Sequence, residues 1–157
     1  MKRRIVLFSM AAMLAHRVAV AGSWGHGIFD NDGALDWVGE FLEKPSTALV
    51  ESALGATLKS GPIDSFMGES ALAAAEIVAA SLGKPAQKMP DELRAWLQRA
   101  ELADYRKLKG LAVRAVRTVL SAEKSELREM WSLHLDDLSL WRSHGVALLK
   151  RLGESMG

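Results

Sequence analysis

After Gly22, apolar residues recur every three to four positions along most of the chain, the spacing of one buried helix face. Ala34, Trp37/Val38 and Phe41 predict a first helix over 33–42. Asn31 or Asp32 is placed to cap it, and Asp36 lies in the early turns, where the helix dipole favours an anion. Pro45 suits the first turn of a second helix, which carries Leu49, Ala53, Ala56 and Leu58 and stops at Ser60-Gly61-Pro62. The stretch 70–82 is apolar nearly all round and is closed by Gly83 and then Pro85, so it predicts the central buried helix. A short helix follows from Pro90-Asp91 through Leu93, Trp96 and Leu97, and a longer one over 102–120. The last stretch runs from Ser125 to Leu152, with Asp136-Asp137 marking a kink or restart. No window shows the clean alternation of a half-buried strand. The expected architecture is all-α: a compact single-domain bundle of five to seven helices behind an irregular Gly- and aromatic-rich segment, 22–30.

The first 21 residues break this pattern. Lys2, Arg3 and Arg4 precede an uncharged, mostly apolar run over 5–15, and Ala19-Val20-Ala21 supplies a small-x-small site. A membrane span needs about 20 apolar residues, whereas a secretory core needs about 7–15. The expectation is a signal peptide over 1–21, cleaved near Ala21, and a mature domain over 22–157, periplasmic or secreted and without stable membrane insertion. The leader holds four of the 20 bases and no acid, so cleavage leaves 16 against 19 acids, a net charge of −3 rather than +1. Nucleic acid loses its electrostatic case as a partner. The remaining charge is uneven: nine acids and three bases over 22–87, ten acids and thirteen bases over 88–157.

With 157 residues, 49% of them apolar, the chain can bury a core, which excludes disorder. Zero cysteines exclude a disulfide scaffold, a thiolate metal site and a cysteine nucleophile. No metalloprotease, nucleophile-elbow or phosphate-loop motif is present, and no catalytic residue, metal ligand or cofactor is assigned. His134 and Asp137, one helical turn apart, read as a solvated pair. Asp30-Asn31-Asp32-Gly33 resembles part of a calcium loop, but Ile28 and Gly39 would then fill two ligand positions, so a helix cap is the better reading. Arg106, Lys107, Lys109, Arg114 and Arg117 form a basic stripe with one nearby aromatic, Tyr105, and read as a solvated face. Glu76 stands apart as the one charge over 70–82. Burying a carboxylate is costly unless it is paired or hydrogen-bonded. The expected partners are the Gly25–Gly27 turn or the Asn31 amide, and a catalytic use would require a second carboxylate or a His within reach, which Asp30, Asp32 or Asp36 could supply.

The run Trp24-Gly25-His26-Gly27-Ile28-Phe29-Asp30-Asn31-Asp32-Gly33-Ala34-Leu35-Asp36 resembles the W-G-x-G-x-F-x-N-D-x-A-x-D opening of the bacterial domain of unknown function 4259 family. The Ala-rich helix with its single Glu76 is similar to one in that family, and Pro90…Trp96, Ser125…Trp131 and Trp141…Leu152 follow in the expected order. The resemblance implies a small helical domain and no assigned activity, in an exported variant. Its motif positions Trp24, Gly25, Gly27, Phe29, Asn31, Asp32 and Asp36, together with Glu76, are the candidate binding residues, with a structural plug as the main reading of the loop. The functional expectation is a non-enzymatic interaction protein of the cell envelope, an immunity protein or inhibitor covering a toxin or envelope hydrolase. The alternatives are a small-ligand or structural envelope protein, and an enzyme using Glu76 with Asp32 or Asp36.

Overall fold

The structure is a computed structural model that describes residues 25–121 and 123–154; Trp24 and the leader lie outside the described residues. Eight helices and no strand are present among them: α1 (Asp32–Glu43), α2 (Thr47–Ala56), α3 (Ser65–Ser81), α4 (Asp91–Leu97), α5 (Ala103–Arg106), α6 (Lys109–Val119), α7 (Glu126–Trp131) and α8 (Leu135–Arg151). The class is the expected one, and the count exceeds the expected range because two stretches divide.

The cap expected at Asn31 acts as read, whereas Pro45 lies one residue before the Ser46 cap of α2 and not in its first turn. Asn31 Oδ1 accepts the Ala34 N–H at 2.7 Å while its amide donates to the Ile28 carbonyl at 3.0 Å, so one side chain caps α1 and ties down the loop before it. Ser46 caps α2 through the Leu49 N–H. That helix ends at Ala56, short of Leu58, where the buried Thr57 hydroxyl donates back to Leu54.

α3 begins five residues before the predicted 70, because Asp64 accepts the Met67 N–H at 2.7 Å and caps a longer helix. The extension brings Glu69 into α3, so Glu76 is not its only charge. Every residue from Gly68 to Ser81 is buried, and α3 contacts all seven other helices. Its alanines let those neighbours approach closely. A main cluster beside it is aromatic: Phe41 stacks on Trp37 at 5.5 Å and meets Trp96 edge-on at 4.8 Å.

The predicted helix over 102–120 is two helices. Residues 106–109 are Arg-Lys-Leu-Lys, with no local breaker, so tertiary contacts set the division. Tyr105 is buried edge-on to Trp96, and Arg106 Nε donates to the Ser81 carbonyl at 2.6 Å, fastening the turn to the end of α3. The last stretch restarts at Leu135, with Asp136 and Asp137 in the first turn of α8. An isolated parallel bridge, Ile63 to Ser125, ties the α2–α3 link to the α6–α7 link.

Candidate functional site

The loop before α1 and the middle of α3 meet at a cleft of about 500 Å³. Gly27, Ile28, Phe29 and Asp30 form one wall and Pro85 to Lys88 another, while α8 contributes His144, Ala147 and Arg151. These three recur at three-to-four spacing, so α8 turns one face to the cleft. Phe29 is buried, as the plug reading requires.

Glu76 lies at the cleft and is only 2% exposed. Its partner is neither the Gly25–Gly27 turn nor the Asn31 amide but Arg151. The guanidinium bonds both carboxylate oxygens, Nη1 to Oε2 at 2.5 Å and Nη2 to Oε1 at 2.6 Å. The fork geometry neutralises a charge that could not otherwise be buried. Of the three aspartates considered as companions of Glu76, Asp30 shares its cleft; Asp32 and Asp36 do not line it.

Asp30 is fixed by its own loop. Its Oδ2 accepts the Gly27 N–H at 3.2 Å, and its Oδ1 accepts from Lys88 Nζ at 2.8 Å. A Cβ on Gly25 or Gly27 would lie 2.6 or 2.7 Å from Oδ2, so in this chain the Asp30 carboxylate leaves no room for a side chain at either glycine. The Lys88 hydrogen bond, opposed by burial and aided by the Lys88 charge, the Gly27 N–H and His144, holds the Asp30 carboxyl below its usual range.

A second buried carboxylate, Glu69, sits two turns before Glu76 against the start of α1. The Gly33 backbone N–H beside it favours its charged form. Burial first, and the Asp32 charge second, push its pKa up to about 7 despite that N–H. A Cβ on Gly33 would collide with Glu69 Oε2. Asp32 thus acts on Glu69 rather than on Glu76.

On the outer side, Asp32, Asp36, Glu40 and Glu43 are exposed along one side of α1. Glu40 and Glu43 of this row, with Lys44 beside them, line a groove between α1, α2 and the start of α3, whose two adjoining hollows, of about 310 and 450 Å³, share Glu40 and Leu49. Phe66, 52% exposed, lines the groove, and so does Ser70, whose buried hydroxyl has no hydrogen-bond partner. Asp137 does not form the expected pair with His134. Its Oδ1 lies 2.9 Å from His26 Nε2, and the His26 ring packs on Trp131 at 5.0 Å.

Sequence reasoning missed Lys88, His144, Arg151 and Glu69. Two signals were available: the His144, Ala147, Arg151 spacing on α8, and the seven-residue interval from Glu69 to Glu76, which places both on one face of α3.

A compact all-helical protein with a carboxylate-lined loop and a buried Glu–Arg fork is the class these features define. The profile of the domain of unknown function DUF4259 matches residues 22–144, and the chain belongs to that family. Arg151 lies beyond the matched span. No curated protein and no solved structure matches the chain.

Proposed function

We propose that the protein is a non-enzymatic interaction protein that covers a basic partner with the acidic side of α1. The observation that carries this reading is the groove beside Phe66: a mostly apolar channel with an orphaned buried hydroxyl, lined by Glu40, Glu43 and Asp64, with Asp36 exposed one turn before Glu40 on α1. Among the described residues, Asp36, Glu40 and Glu43 enter no ion pair. An apolar anchor flanked by Lys or Arg would fill the channel, and the carboxylates would speed its encounter. The leader-like order of residues 1–21 supports export, and an exported acidic cover suits an immunity protein or inhibitor of a toxin or envelope hydrolase.

The test uses whichever basic envelope enzyme the purified protein captures from a periplasmic extract of the producing cell. Purified protein should inhibit it, with binding that weakens as salt rises. The triple variant Asp36→Lys, Glu40→Lys, Glu43→Lys should keep its helical circular dichroism and lose inhibition. Unchanged inhibition by that variant defeats the proposal.

The small-ligand reading is favoured by a different observation, the cleft at Glu76. An enzyme using Glu76 draws less support, since Arg151 occupies both carboxylate oxygens.

A further inference from the structure

The cleft between the motif loop and α8 already shows what Asp30 takes. A primary ammonium on a flexible apolar arm, the Lys88 side chain, stands 2.8 Å from Asp30 Oδ1. The two partners differ in freedom. The Lys88 side chain is 83% exposed, whereas that of Asp30 is 18% exposed and held from behind by the Gly27 N–H. An ion pair with one solvated, mobile partner is worth little and is easily exchanged. The acceptor is built into the loop; the donor is replaceable.

Charge and shape agree on the replacement. With Lys88 swung into water, the cleft keeps Asp30, Glu76 and Arg151. The last two cancel through their fork, leaving Asp30 as the one carboxylate of the cleft without a fixed cationic partner, with the His144 ring on the same wall. Ile28, Phe29, Pro85, Ala86 and Ala147 supply apolar wall, and about 500 Å³ is room for a small organic body. We propose that this cleft is a binding site for a primary alkylammonium group, with Asp30 as its anchor and Lys88 as a built-in competitor. The ammonium comes either from a free amine or from a lysyl side chain of another molecule. Asp30 falls at a position that the opening motif leaves open, so the selectivity belongs to this chain's own sequence.

The competitor gives the proposal an unusual signature. A site occupied part of the time by its own side chain shows an affinity reduced by the open fraction, and deleting that side chain restores it. Calorimetric titration of the full chain would use 1-aminopentane, Nα-acetyl-lysine amide and, as the uncharged control, 1-pentanol. Lys88→Ala should bind at least one amine about two- to fivefold more tightly than the parent, with pentanol unbound. Adding Asp30→Asn, which keeps an oxygen for the Gly27 N–H, should remove that gain, while circular dichroism confirms the fold. Binding of both amines points to a lysyl side chain as a source, and binding of 1-aminopentane alone to a free amine; both support the site. Weaker or equal amine binding in Lys88→Ala, no amine binding in that variant, or binding that survives Asp30→Asn overturns it.

Discussion

Two carboxylates on one face of α3, seven residues apart, are buried by different means. Glu76 meets a guanidinium that matches both of its oxygens. Glu69 packs its carboxylate against the Gly33 backbone at the start of α1, with the Asp32 charge opposing its own. Burial is similar, 2% against 9% exposed, so the partner and not the depth separates them. At Glu76 the fold has closed a charge with its opposite. At Glu69 it keeps an acid whose charge is disfavoured, and its proton is released only near neutral pH.

The sharpest way to break this contrast is to remove the guanidinium. Arg151→Ala leaves Glu76 buried and uncompensated, and should cost about 3–5 kcal/mol in chemical denaturation. Combining it with Glu76→Gln should recover a substantial part of that loss, because the uncompensated charge is gone. A single variant no less stable than the parent would mean that Glu76 is not sealed by the fork.

Next in size is Gly33→Ala, which drives a methyl group against Glu69. Overpacking of this kind costs about 1–3 kcal/mol, read from the shift of the denaturation midpoint. Adding Glu69→Ala should relieve the collision, making the pair less than additive.

The Glu69 charge itself is tested by pH. Its folded pKa, about 7, stands above the ordinary 4.5, so the native state holds the proton more tightly than the unfolded chain. Between these values stability from this group falls as pH rises, and above 7 the full penalty is present. Glu69→Gln keeps an acceptor for Gly33 and should be more stable than the parent at pH 8 by about 1–2 kcal/mol, a figure reduced for solvent screening. The difference should vanish at pH 4.5, and a flat difference across that window would remove the distinction drawn between the two acids.

The smallest effect belongs to the cap that positions both loop and α1. Asn31→Ala should cost about 0.5–2 kcal/mol, measurable as a lower melting temperature. A loss well beyond that range would show that the Ile28 bond, and with it the cleft wall, matters more than the helix end.

How legible this was depended on the range of each interaction. The cap at Asn31, the core face of Trp37 and Phe41, and the central place of the Ala-rich helix all follow from residues within four positions of one another. Glu76 was marked by its isolation among alanines, yet its partner stands 75 residues away on another helix, and no local pattern connects them. Glu69 was missed for a nearer reason. A helix begun at Ser70 stops one residue short of it, and the Asp64 cap that extends α3 follows Gly61 and Pro62, which read as a stop. The division between α5 and α6 left only Gly110 as a weak local trace, since Tyr105 and Arg106 act there through Trp96 and Ser81.

The span between Glu76 and Arg151 also orders events during synthesis. Glu76 leaves the ribosome 75 residues ahead of the side chain that neutralises it. At about 5–20 residues per second this is a delay of about 4–15 seconds. Over that interval the most extensively buried of the described helices carries a bare carboxylate. A charge that resists dehydration should keep α3 hydrated and slow its premature collapse onto α1 and α2. Arrival of α8 then withdraws the obstacle, so the fork serves as a latch on completion of the nascent fold.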